Sequence, residues 1–388
     1  MPWKESNKMS QRLDFVGRLF RGERMSDLCR EYGISRKTGY KFKERFLNSD
    51  PDDWEFGDLS RRPHRSPFAT PPEMVELVVA WRERHPTWGP RKLKCEMEKR
   101  HSSGVDIPAT STIGEILKRE NLVKPRKRRR RASPSPANTR LRESSKPNQL
   151  WAVDFKGQFR LRNKRYCYPL TVTDHFSRFL LACEGLENTK GCGVRESFRV
   201  VFAEYGVPDA IRMDNGSPFA STGLAGLSKL SVWWMRLGIR LERIDPGHPE
   251  QNGRHERMHR TLKAETTRPA KPNLLQQQEH FDYFRKEFNQ ARPHEGLQMK
   301  YPAEVYEPSK RCIPEVLEPL DYPLHDCSKR VSSCGKITAP CSKRLIYLGE
   351  ALDGEYVGLR EYDDNWLVTF MELDLGYISK KTWKFMKA

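Results

Sequence analysis

A chain of 388 residues suggests roughly two to three domains, and its 70 Lys and Arg against 51 Asp and Glu leave a formal charge of +19. That excess predicts a polyanionic partner and bears on association and solubility rather than on fold. A membrane-spanning protein is excluded as an expectation, because no run of about 18 apolar residues occurs and charges stand where a secretory leader needs an apolar core. The nine cysteines, with no Cys-x-x-Cys pair, read as reduced thiols of a soluble, intracellular protein. The seven-residue steps of Cys327, Cys334 and Cys341 match no common zinc pattern.

Residues 1–50 read as a helix-turn-helix DNA-binding domain. Leu13, Val16 and Phe20 share one helical face, Leu28-Cys29 opens to a turn at Gly33, and Ser35 caps a third helix running to Phe46. Arg36, Lys37, Tyr40 and Lys41 lie early enough on that helix to enter a major groove. Pro51 to Pro72 reads as a linker. Residues 70–123 form a second helix-turn-helix unit, with Met74, Leu77, Val78 and Trp81 on one stripe, then Leu93 and Met97. Thr112-x-x-Glu115 reads as a capping box opening a helix with Ile113, Ile116 and Leu117. Trp81 and Trp88 are expected in the core rather than stacked on bases. Two such units in tandem suit a long, asymmetric DNA site. Residues 124–149 carry ten Lys or Arg against Glu143 alone and read as a disordered basic linker. Its run Arg126–Arg131, including Arg128 and Arg129, is placed to track phosphates.

From Leu150 to about residue 310 the pattern turns α/β. Strands are expected at Leu150–Leu161, Tyr166–Thr173, Arg178–Gly185, Asp209–Met213 and Ile239–Ile244, a mixed five-stranded sheet that starts as antiparallel hairpins. Helices are expected around Gly193–Tyr205, through Leu230, Trp233, Trp234 and Leu237, and over Leu274–Gln290. Residues 335–388, with strands at Arg344–Leu348, Glu355–Arg360, Trp366–Phe370 and Leu375–Ser379, read as a small β-barrel.

Three carboxylates stand out. Asp154 interrupts the apolar run Trp151-Ala-Val-Asp-Phe, Asp214 ends another before Asn215-Gly216, and Glu256 opens a basic amphipathic helix. An apolar strand carries a buried acid at a cost unless something pairs with it, and divalent metal is such a partner. Two Mg²⁺ or Mn²⁺ ions held by carboxylate oxygens would serve phosphodiester chemistry. Arg260 and Lys263 follow Glu256 at i+4 and i+7, so two phosphate-seeking cations share its face, while Met258 and Leu262 pack opposite. Asp174, in the turn Asp174-His-Phe-Ser-Arg178, reads as structural. His255 and His259 do not make a zinc site without further ligands.

These segments resemble the DDE-type transposases and retroviral-type integrases, most closely the insertion-sequence transposases of the IS481 and IS3 groups. The resemblance rests on Trp151–Phe155, on Val172–Arg178, on Asp214-Asn-Gly-Ser-Pro-Phe219 and on His248–Lys263, and continues through Asn289–Leu297 and Tyr301–Tyr306. It implies a ribonuclease-H-like core with Asp154, Asp214 and Glu256 as the catalytic, metal-binding triad, and Lys263 at a position that contacts the donor DNA end. Glu250 competes for the third role, but the Gln-x-x-Gly-x-x-Glu pattern falls on Glu250–Glu256 with the catalytic acid last. Asp214 and Glu256 are 42 positions apart, wider than is usual for the family, and Ser221–Gly226 would be the extra loop.

The resemblance implies binding to element ends and target DNA, metal-dependent cleavage and strand transfer, a homo-oligomer (dimer or tetramer) on DNA, and a bacterial, cytoplasmic, nucleoid-associated setting. A domesticated DNA-binding regulator with an inactive core is the alternative.

Overall fold

The computed structural model describes residues 8–49, 69–101, 106–123 and 141–387. The chain divides into two compact units, Met1–Ala69 and Thr70–Ala388. Among the described residues no helix is long and apolar enough to cross a membrane.

The first unit consists of α1 (Lys8–Phe20), α2 (Met25–Glu31) and α3 (Arg36–Asn48), as the periodicity predicts. Phe15, Val16, Leu28, Cys29 and Phe42 form its core. Ser35 caps α3, its hydroxyl accepting from the Thr38 N–H at 3.2 Å. Gly39 lets α2 and α3 close: a Cβ there would stand 2.7 Å from Met25 Sδ and 2.9 Å from Cys29 Sγ.

In the second unit α4 (Pro72–Arg84), α5 (Pro90–Arg100) and α6 (Thr110–Arg119) surround Val78, Trp81, Trp88, Leu93, Met97, Ile113, Ile116 and Leu117. The anticipated capping box is not formed. α6 starts three residues earlier, after Ala109, so Thr112 already lies inside the first turn. His85 stacks between Trp81 and Trp88, with ring centroids 5.7 and 4.0 Å away.

The sheet is built around β1 (Trp151–Phe155), with β3 (Tyr166–Asp174) antiparallel on one side and β5 (Ala210–Met213) parallel on the other. β4 (Leu180–Leu186) extends it beyond β3, and β6 (Arg240–Arg243) lies parallel beyond β5. The expected strand over Leu150–Leu161 is interrupted: Gly157 adopts φ +58°, and the chain resumes as the two-residue β2 (Phe159–Arg160), a sixth strand. Trp151, Val153, Leu170 and Val172 face α7 (Gly191–Tyr205) and α8 (Lys229–Arg236) in the largest core. Strand alternation turns Ala152, Asp154, Thr171 and Thr173 to the opposite face. There α9 (Gly253–Thr266) and α10 (Leu274–Gln290) pack through Met258, Leu262, Phe281, Phe284 and Phe288.

α4–α6 are tied to this layer by polar contacts. His85 Nδ1 lies 3.2 Å from Glu287, and the Tyr301 hydroxyl, preceding α11 (Pro302–Val305), donates to buried Glu96 at 2.6 Å. The last part of the basic linker, 141–149, expected to be disordered, is fixed on the core. Buried Arg212 donates to the Arg142 carbonyl at 2.8 Å, and the Asn148 N–H donates to Asp174 at 2.8 Å. Arg128 and Arg129, with the rest of Lys124–Arg140, lie outside the described residues, as do residues 50–68 of the first linker.

The C-terminal strands form an open sheet rather than a closed barrel. β7 (Cys327–Arg330), β10 (Tyr356–Tyr362), β11 (Asn365–Phe370), β12 (Leu373–Ser379) and β13 (Phe385–Lys387) pair antiparallel in that order, with β8 (Lys336–Thr338) and β9 (Leu345–Tyr347) as a separate hairpin. Its apolar face is covered by Leu224, Leu227 and Val232, so it need not close on itself. Leu224 belongs to the loop that widens the Asp214–Glu256 spacing. Lys229 to Asp353 at 3.1 Å and Arg236 to Glu355 at 3.0 Å flank the contact. Leu224→Ala should cost about 2–4 kcal/mol, read as a lower urea midpoint, whereas truncating exposed Leu345 should change it little.

Candidate active site

Trp151 pairs with Ile211 and Ala152 with Arg212 across the parallel β1–β5 ladder. Carrying this register two residues further sets Asp154 level with Asp214, the first residue after β5. Asp214 folds back on its own turn, its carboxylate accepting from the Gly216 N–H at 3.1 Å. A Cβ at Gly216 would come within 3.0 Å of that carboxylate, so glycine leaves it room.

Glu256 arrives on α9, and the placement of that helix follows from one hydroxyl. Thr171 Oγ1 donates its only proton to the Asp154 carbonyl at 3.0 Å. The two imidazoles that reach the same oxygen, His255 Nε2 at 2.8 Å and His259 Nε2 at 2.7 Å, must therefore donate to it. His255 Nδ1 then accepts from Thr173 Oγ1 at 2.8 Å. Both rings are buried, and desolvation pushes them down to about 3 and about 2, so they are neutral near pH 7. His259 Nδ1 faces Asp154 Oδ2 at 3.7 Å. With the ring neutral and its proton on Nε2, this contact is not an ion pair near pH 7, despite its length.

Burial, foremost, and then the charge of Asp214 push the Asp154 carboxyl up to about 7; Glu256 adds to the rise, while the Phe155 N–H and Lys156 oppose it. Lys156 is lowered by burial and by Lys263, with Asp154 opposing. Asp214 and Glu256 thus both bear on the charge of Asp154, and Lys263 on that of Lys156. Glu250 is exposed and bonds His248 Nδ1 at 2.7 Å. Oxygen-only donors of this kind suit hard divalent cations, and a cation would relieve the burial and like charge that Asp154 bears. Among the described residues no three His, Cys, Asp or Glu stand close enough to hold a metal; the acids adjoin without forming a ready cage.

Arg260, one turn along α9 from Glu256, also lines a cavity bordered by Arg254 and Arg257. Arg36, Lys37, Tyr40 and Lys41 are exposed together on α3. Asp174 is structural as expected, buried and accepting from the Ser177 N–H and hydroxyl at 2.7 and 2.6 Å. Sequence reasoning missed Lys156, Thr171, His255 and His259 as parts of the site. Lys156 was findable, since it lies two residues beyond Asp154 and so on the same strand face. The alternating Thr171 and Thr173 in an apolar strand, and two His one turn apart, were further signs.

Two outcomes follow for stability. The unfolded chain loses the Asp154 proton near pH 4, whereas the folded state retains it to about 7. Stability therefore falls as pH rises through that window. Asp154→Asn should melt above the parent at pH 8 in EDTA, with the advantage gone at pH 4, as followed by circular dichroism. Thr171→Val leaves two buried imidazole N–H groups without an acceptor and should cost about 2–4 kcal/mol in urea unfolding.

Residues 144–249 and 237–302 match two family models, each described as an integrase core domain, and residues 38–117 match a homeodomain-like domain. An insertion element IS476 protein of Xanthomonas euvesicatoria is 30% identical over 48% of this chain and 53% of its own length. The Gag-Pol polyprotein of baboon endogenous virus is 28% identical over 57% of this chain and 12% of its own. A simian T-cell lymphotropic virus intasome structure aligns with 80% of this chain and 98% of its own at 18% identity and a TM-score of 0.38. The chain thus spans about half, or far less, of these curated relatives. The resemblance read from the motifs holds: the chain carries an integrase core domain of ribonuclease-H-like fold, shared with insertion-element proteins and retroviral polyproteins, and homeodomain-like helices precede it.

Proposed function

We propose that the chain is a transposase that binds the terminal repeats of a mobile element and performs metal-dependent DNA cleavage and strand transfer. What supports this reading is the parallel pairing of β1 with β5, which ends two residues short of Asp154 and Asp214, together with the charge of Asp214 and of Glu256 from α9 bearing on Asp154. We read 1–50 and 70–123 as the DNA-binding helical domains, 124–149 as the basic linker, 150–310 as the catalytic core and 335–388 as a C-terminal module, working as a homo-oligomer on DNA.

Asp154, Asp214 and Glu256 would hold Mg²⁺ or Mn²⁺, two ions by resemblance, and the metal supplies charge stabilisation at the phosphoryl group being transferred. The chain's own residues do the rest. Lys156 and Lys263 draw the phosphodiester to the acids, and the Thr171 node fixes where α9 presents Glu256. The hydroxyl that attacks, from water in cleavage and from the freed 3′ end in strand transfer, displaces its leaving oxygen in line without a covalent protein intermediate.

The test incubates the full chain with Mg²⁺ or Mn²⁺ and a labelled duplex carrying the repeats that flank its gene. Nicking at the repeat end should fall by about 10²–10³-fold or more in Asp154→Asn and Glu256→Gln, with DNA binding retained. Specific binding by all three proteins and nicking by none would identify a DNA-binding regulator instead.

A further inference from the structure

The flank of α9 that carries Arg254, Arg257 and Thr261 borders a cavity of about 680 Å³, also walled by the β3–β4 turn, the start of α5 and the turn at residues 292–296. Six cations line it, Lys92, Arg178, Arg254, Arg257, Arg260 and Arg292, against two carboxylates, Asp174 and Glu295. Both carboxylates are engaged elsewhere. Asp174 is held by Ser177 and by the Asn148 N–H, and Glu295 pairs with Arg91 at 3.2 Å.

Two of the cations are satisfied within the protein. Arg292 donates to Glu265 at 2.9 Å and to Thr87 at 3.2 Å, and Arg254 donates to the His175 carbonyl at 3.1 Å. The side chains of Lys92 and Arg178 are half-buried, and no hydrogen bond or ion pair joins either to another described residue. Nε2 of His294, in the same wall, is buried without a partner. Burial and neighbouring cations lower Lys92 to about 8 and Arg178 to about 10, with Glu295 and Glu265 opposing at Lys92 and Asp174 opposing at Arg178.

Arg178 is also held in a costly backbone conformation, φ +65°, by the Asp174–Ser177 turn. Half-buried cations with no hydrogen-bonded anion, gathered around one space and outnumbering the nearby acids, cost stability unless a further anion joins them. The cluster extends outward: Arg257 and Arg260, both exposed, stand one turn apart along α9. A row of cations leading into a cationic hollow suits a chain of phosphates better than a single small anion.

We propose that this cavity grips a DNA backbone phosphate where α5 meets the core, a contact separate from the three acids. The proposal rests on reading DNA as the partner, but it needs neither the acids nor a metal. It therefore stands or falls in EDTA, where no cleavage occurs and the nicking assay plays no part.

The experiment measures binding of a labelled duplex to the full chain by fluorescence anisotropy across a salt series, for the parent, Lys92→Gln and Arg178→Gln. Each substitution should weaken binding several-fold and reduce the slope of log K against log salt by about 1. Without DNA, Lys92→Gln should melt at or above the parent temperature, because an unpaired cation has been removed. Unchanged affinity and slope in both variants would overturn the proposal. So would a fall in melting temperature in both variants without DNA, which would mark the cations as structural. Sodium tripolyphosphate provides the second arm: if it raises the parent's melting temperature but not the variants', while their DNA slopes match the parent's, the site serves a soluble polyphosphate and the DNA assignment is wrong.

Discussion

Sheet and helix meet at the hydroxyl of Thr171. Its proton is committed to the Asp154 carbonyl, so its lone pairs are free for two imidazoles from α9, and the same residue holds the strand that carries one acid and the helix that carries another. Apolar packing of Met258 and Leu262 would tolerate some sliding of α9 over the sheet. Hydrogen bonds in a dry layer do not, because a shifted helix would leave buried donors unpaired. Rigidity at this junction lets carboxylates from two strands and a helix act on one another.

The electrostatics of α9 divide around that junction. One flank presents Glu256 and Lys263 towards Asp154, where negative charge accumulates against desolvation. The other presents Arg254 and Arg257 to a hollow where positive charge accumulates, with Arg260 at the boundary between the two. A single helix thus separates two regions of opposite sign, each left incomplete by the chain itself. In each, one or more charged groups bear a burden that a ligand of opposite sign would lift.

Much of this was legible before any coordinates. α10 spans Leu274–Gln290 as its aromatic spacing predicts, and the three acids were visible because polar residues in apolar runs are conspicuous. Register was not legible: nothing in the sequence says that β1 lies between β3 and β5, and that adjacency is what brings Asp154 level with Asp214. The imidazoles looked idle because their partners, Thr171 and Thr173, lie more than eighty positions away. The cationic hollow draws on four separate segments, and since 174–178 and 292–296 bring one cation each, no local run announces it. The C-terminal strand Cys-Ser-Lys-Arg330 and its short companions carry too few apolar residues to reveal an alternating pattern, and closure was inferred where an external cover in fact suffices.

That cover has a consequence for how the chain could be shortened or rearranged. Leu224 and Leu227 lie between the second and third acids, yet they share one core with Ile337 and Ile346 of the C-terminal module. The length of one insertion therefore serves two masters. Trimming it towards a more compact core would strip the module of its seat, and removing the module would leave a greasy shelf a short way along the chain from Asp214. The two segments form a matched pair, so that a functional graft of either onto a related scaffold would have to carry the other with it.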